Sequence, residues 1–69
     1  MTLEQYASLL VDLSHAPVLR GETLSRYALT EATKGALDAL WGGRMSGDPG
    51  LRARLDQAMD AYRAWLSRR

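Results

Sequence analysis

The 69-residue sequence contains no cysteine, no phenylalanine and no isoleucine. Without cysteine the chain can form no disulfide, no thiolate metal site and no thiol nucleophile, and small secreted domains usually depend on disulfides. Valine occurs only twice, at Val11 and Val18. Because strands favour β-branched and aromatic side chains, this scarcity argues against a sheet.

Groups that could build a reactive site or a membrane span are also scarce. His15 is the one histidine, and scattered carboxylates do not add the further ligands that a metal site needs. No hydrophobic run approaches the roughly 20 residues that cross a bilayer. The first residues include Glu4 and no basic segment, unlike a signal peptide. We therefore predict a cytoplasmic protein with no membrane segment, no metal, no cofactor, no catalytic residues and no enzymatic activity.

Leucine and alanine, in contrast, supply 22 of the 69 residues. Both favour helices, and apolar residues recur three or four positions apart along most of the chain, as on one face of a helix. The sequence therefore predicts an all-α fold, with residues 1–69 forming a single helical domain. The predicted architecture is a small three-helix bundle, to which a fourth short helix near residues 17–20 can be added.

Capping residues and prolines predict where the first and last helices begin. Thr2 and Gln5 fit a capping box at the start of the first helix, and Pro17 predicts its end because the residue before a proline avoids helical geometry. Asp48 and Pro49 predict the start of the last helix, as an acidic cap followed by a proline.

A long central helix is predicted from Glu22 to Trp41, with Gly42 and Gly43 ending it. At about 100° per residue, four small residues fall in one narrow stripe, which would let another helix approach closely. The sequence leaves open whether this stripe packs within the chain or between chains. The stripe consists of Ala28, Ala32, Gly35 and Ala39.

Four of the six glycines lie within residues 42–50, which raises the question of a phosphate-binding loop. Gly42 and Gly47 have the required spacing, but the lysine and hydroxyl residue that should follow are absent. Asp48 places negative charge where a phosphate would bind, and Pro49 lacks a backbone N–H. We interpret this segment as a connection between helices.

Positive charge is concentrated at the C-terminal end of the sequence. Residues 51–69 contain five arginines and two aspartates, whereas residues 1–50 contain four basic and six acidic residues. The alternative function is therefore a small nucleic-acid-binding regulator, which would contact phosphates through the last helix. Its predicted contacts are Arg54, Arg63, Arg68 and Arg69.

Aromatic and arginine side chains indicate the preferred function, because tyrosine, tryptophan and arginine dominate many binding surfaces. Tyr27 is predicted on the polar face of the long helix, Trp41 at the edge of its apolar face, and Arg44 in the following loop. A core of this size supplies only about 3–5 kcal/mol of stability, which favours association. We predict a protein that acts through protein–protein interaction, as a homodimer, an accessory subunit or an inhibitor of a larger protein.

Overall fold

A computed structural model of the chain describes residues 1–68. Within this range the fold is all-α, as predicted, with four α-helices, one 3-10 turn and no strand. The 3-10 turn, Pro17–Leu19, falls where the short fourth helix was expected and leads directly into a longer one. The helices are α1 (Leu3–His15), α2 (Arg20–Arg26), α3 (Glu31–Ser46) and α4 (Pro49–Ser67).

The predicted caps are present at the starts of α1 and α4. The backbone N–H of Gln5 donates to Thr2 Oγ1 at 3.1 Å, and the N–H of Thr2 donates to Gln5 Oε1 at 2.8 Å. At α4, the N–H of Leu51 donates to Asp48 Oδ1 at 3.2 Å, and Pro49 occupies the first turn. These bonds satisfy donors that have no partner within the helix, and so define where each helix begins.

The prediction of one helix from Glu22 to Trp41 is wrong, because a turn separates α2 from α3. Ala28 lies in this turn with φ at 59°, in the left-handed region. The N–H of Leu29 donates to the carbonyl of Leu24 at 2.8 Å, and the N–H of Ala28 donates to that of Ser25 at 3.0 Å. This is the Schellman pattern that ends many helices, with alanine in the position that glycine usually takes.

Gly42 and Gly43, which were expected to end the long helix, instead lie inside α3. The helix continues past them and through Arg44 to Ser46, and no glycine among the described residues has a positive φ. Their left-handed freedom is therefore unused. Only residues 47 and 48 connect α3 to α4, so most of the segment interpreted as a connection is helical.

The core is centred on α1, which corrects the prediction that the long helix is central. The most extensive contacts between helices join α1 to α4, and α3 packs less extensively on α4. The molecule is flat, with extents of 32 × 31 × 16 Å. No helix within residues 1–68 combines the length and apolar character needed to cross a bilayer. The buried apolar residues are Leu3, Tyr6, Ala7, Leu9, Val11, Leu13, Leu24, Trp41 and Leu55.

Candidate interaction surface

Trp41 and Arg44, two of the three predicted contact residues, are engaged with each other and with α1. Trp41 is only 5% exposed, and its ring stacks on Tyr6 with the centroids 5.6 Å apart. The Arg44 guanidinium lies 5.1 Å from the centroid of the Trp41 ring, in a cation–π contact. Trp41 therefore joins α3 to α1, and Arg44 is the exposed residue of this pair.

Tyr27, the third predicted contact residue, does not lie on a polar helix face, because the chain turns at this point. Its side chain is half-buried and packs against the core. Its hydroxyl donates to Asp12 Oδ2 at 2.8 Å and lies 2.9 Å from the hydroxyl of Ser8. Tyr27 and Trp41 thus hold the fold together, and the structure does not unite the three residues in one exposed patch.

Asp12 accepts hydrogen bonds from two tyrosines that are distant in sequence. Tyr27 binds one carboxylate oxygen, and the hydroxyl of Tyr62 donates to the other, Oδ1, at 2.9 Å. This carboxylate links α1 to α4 and to the turn between α2 and α3. No local spacing in the sequence indicates that Asp12 would join these elements.

A second carboxylate, Asp38, joins α3 to α1. The hydroxyl of Tyr6 donates to Oδ1 and the ammonium of Lys34 donates to Oδ2, each at 2.6 Å. Burial raises the pKa of Asp38, but the hydrogen bonds from Lys34 and Tyr6 and the nearby positive charges outweigh it, so the pKa lies below its ordinary value. Burial, reinforced by the bond to Asp38, raises the pKa of Tyr6.

Because the pKa values of Tyr6 and Tyr27 are raised in the folded protein, we expect the protein to lose stability in alkaline solution. Burial is also the largest cause that raises the pKa of Tyr27 above the ordinary 10.0; the bond to Asp12 adds to it and the bond to Ser8 opposes it. A raised folded-state pKa stabilises the fold below pH 10 and ceases to do so as the tyrosine ionises. Denaturant unfolding followed by circular dichroism should show that the free energy of unfolding declines above about pH 10. In a Tyr6→Phe variant the free energy of unfolding should decline less steeply with pH. A wild-type protein equally stable at about pH 8 and pH 11 would show that the tyrosines do not contribute in this way.

The outward side of α3 is apolar and uncharged, and we call it the α3 outer face. Of the four charged residues of α3, Lys34 is buried and Asp38 is half-buried, whereas Glu31 and Arg44 are exposed near its two ends. Leu40 is 50% exposed, and a Cβ added at Gly35 or Gly43 would meet no atom within 4 Å. The face consists of the exposed residues Ala32, Gly35, Ala36, Ala39, Leu40 and Gly43.

The predicted small-residue stripe is thus on the surface and does not pack within the chain. Ala32, Gly35 and Ala39 belong to the α3 outer face, whereas Ala28 lies in the turn before the helix. Of the two possibilities that the sequence leaves open, packing of the stripe within the chain does not occur, because α3 contacts its neighbours through the side that carries Lys34 and Trp41.

A groove of about 610 Å³ lies on a different part of the molecule, and we call it the α4 groove. Its uncharged lining residues, which we call its floor, are Tyr6, Leu10, Met45, Leu55 and Met59. Its charged residues all belong to α4 and are Arg52, Asp56, Asp60 and Arg63. They form two ion pairs, Arg52 with Asp56 at 3.4 Å and Arg63 with Asp60 at 3.1 Å.

The C-terminal arginines do not line one side of α4. At about 100° per residue, Arg54 and Arg63 lie on opposite sides of the helix. Arg63 is paired with Asp60, and the Nε of Arg68 donates to the carbonyl of Ala64 at 3.3 Å. Arg69, the fourth predicted nucleic-acid contact, lies outside the described residues.

The described residues form a small all-α protein with two distinctive surfaces, the α3 outer face and the α4 groove. His15 is exposed in the last turn of α1, and no three potential metal ligands cluster within residues 1–68. Comparison with protein-family models, curated proteins and solved structures finds no match for this chain. The α3 outer face and the α4 groove are therefore the features of this fold that bear on its function.

Proposed function

We propose that the protein acts through protein–protein interaction as a homodimer joined by its α3 outer face. The observation that carries the proposal is an apolar, uncharged surface along one side of a 16-residue helix. Apolar surface in contact with water is unfavourable, and covering it with another apolar surface is favourable. Continuous apolar patches on small proteins commonly mark sites of association.

The glycines in the α3 outer face support a contact with another helix. Glycine inside a helix costs about 0.8–1.0 kcal/mol relative to alanine, and no atom of this chain needs the space left at Gly35 or Gly43. Small residues let two helix backbones approach closely, which increases the contact between them. A helix from outside the chain would use the space that these glycines leave.

The direction of α3 favours an antiparallel contact with a second copy of the chain. Glu31, in the first turn, already pairs with Arg20 at 2.6 Å, and Arg44, in the last turn, lies over the Trp41 ring, so both charges have partners within the chain. In an antiparallel two-fold contact the dipoles of the two copies of α3 oppose each other, which is favourable, whereas a parallel contact would align them.

The small core makes such an association useful for stability. Only nine apolar residues are buried within residues 1–68, and a core of this size supplies about 3–5 kcal/mol. Dimer formation stabilises the folded state by mass action, because the unfolded chain does not form the contact. The proposal assigns the protein a role in binding and no catalytic step.

A glutamate in the centre of the α3 outer face is expected to convert the dimer to a monomer. Ala39→Glu would bury a carboxylate against an apolar surface, which is strongly unfavourable. Light scattering should show twice 7.7 kDa for the wild type and 7.7 kDa for this variant. The matched control is Ala53→Glu, an exposed alanine on α4, which should remain a dimer.

Two outcomes would overturn the homodimer. One is a wild-type mass of 7.7 kDa at concentrations up to about 1 mM. The other is an Ala39→Glu variant that stays dimeric, since the contact would then lie elsewhere. Salt separates this proposal from the nucleic-acid alternative, because phosphate contacts weaken steeply as salt rises and an apolar contact does not.

A further inference from the structure

The floor of the α4 groove has the properties of a binding surface for apolar side chains. Leu10, Met45 and Met59 are half-buried there, and Leu55 is buried. Methionine adapts its shape to different partners and is common on surfaces that bind varied apolar groups. The volume of about 610 Å³ lies within the range of about 300–1,000 Å³ that is usual for binding clefts.

The span of the charged residues along α4 indicates the length of the ligand that the groove can bind. They extend along α4 from Arg52 to Arg63, a distance of about 17 Å at 1.5 Å per residue. This distance corresponds to about three helical turns. A helix lying along α4 would therefore contact the whole row of charges while its apolar side faces the floor.

The order of these charges disfavours a second copy of this chain as the occupant. Along α4 the order is positive, negative, negative, positive, at Arg52, Asp56, Asp60 and Arg63. The order is the same in both directions, so the same row from a second copy, aligned in register, would set like charges against like in either orientation. Such juxtaposition is unfavourable and selects against self-contact. The complementary order is negative, positive, positive, negative.

We infer that the α4 groove binds an amphipathic helix of another protein. The partner helix is at least three turns long, with leucine-like side chains facing the floor. Along one edge it carries an acidic residue, two basic residues and a second acidic residue, about four positions apart, opposite the α4 row. The α3 outer face is not involved, so the inference stands independently of the homodimer.

Two synthetic helical peptides of about 18 residues test this inference. Both carry the same leucine face; one has the edge order Glu-Lys-Lys-Glu at four-residue spacing, and the other has Lys-Glu-Glu-Lys. Calorimetry with the full chain should show the first peptide binding about tenfold more tightly, because charge complementarity across several pairs is gained or lost together. The difference should shrink at high salt.

A variant with all four charges inverted, R52D, D56R, D60R and R63D, should reverse the preference between the peptides. These side chains are exposed, so the fold should tolerate the changes, as circular dichroism can verify. Met59→Glu should abolish binding of both peptides, whereas Ala53→Glu outside the groove should leave both affinities unchanged. Absence of binding by either peptide at about 1 mM, or equal affinities for the two, would overturn the inference.

Discussion

Replacing Leu55 with aspartate is expected to unfold the protein. Leu55 is 3% exposed and packs in the cluster that joins α4 to α1 and to Trp41. An unpaired buried carboxylate costs several kcal/mol, and the whole core supplies only about 3–5 kcal/mol. Far-UV circular dichroism of Leu55→Asp at room temperature should therefore show loss of most of the helical signal.

The same chemical change at Leu40 provides the matched control. Leu40 is half exposed on the α3 outer face, so Leu40→Asp should keep the helical signal while disrupting the proposed dimer. The milder Leu55→Ala is expected to lower the free energy of unfolding by about 2–5 kcal/mol, through lost burial and a cavity. A Leu55→Asp protein with a wild-type helical signal would show that α4 does not depend on this contact.

The starts of the first and last helices could be predicted because local signals and packing agree there. Thr2 and Gln5 form their capping box within the first turn of α1, and Asp48 and Pro49 begin α4 through equally local contacts. The apolar repeat of α1 also matches the side that is buried. Where capping and hydrophobic spacing both indicate the same helix, the sequence is sufficient.

The middle of the chain could not be predicted, because its local signals conflict with packing. The helical repeat passes through Ala28 without interruption, and alanine ordinarily avoids the left-handed geometry that it adopts there. The available signal was Thr30, whose side chain accepts from the N–H of Thr33 and caps α3. Gly42 and Gly43 indicated that the helix ends there, but α3 continues past them because Trp41 and Met45 on either side pack against the core.

The candidate surfaces were partly accessible from the sequence. The spacing of Ala32, Gly35 and Ala39 identifies a small-residue side of a helix, but spacing cannot tell which side faces a neighbour within the chain. The α4 groove depends on how α1, α3 and α4 come together, which is a property of the tertiary fold. The bond from Tyr62 to Asp12 joins residues 50 positions apart, and no local pattern encodes such a pair.

Replacing Asp12 with alanine is the second change for which we expect a large effect. The Asp12→Ala variant should lose about 2–4 kcal/mol of unfolding free energy, in part because the bond from Tyr62 is removed. Asp12 accepts from Tyr27 and from Tyr62, and a hydrogen bond to a charged group contributes about 1.5–3 kcal/mol. Both hydroxyls are only part-buried, so water can replace some of the lost interaction. Urea unfolding monitored by circular dichroism measures the change.

The control is Asp56→Ala, which measures the general effect of removing a carboxylate from this protein. Asp56 is exposed, and among residues 1–68 its ion pair is with Arg52, four residues away, so its replacement should cost about 0.5 kcal/mol or less. A double-mutant cycle between Asp12→Ala and Tyr62→Phe should give a coupling of about 1 kcal/mol or more, because each change removes the same bond. If the two losses simply add, the tyrosine and the carboxylate act independently, and Asp12 does not join α1 to α4 through this hydroxyl.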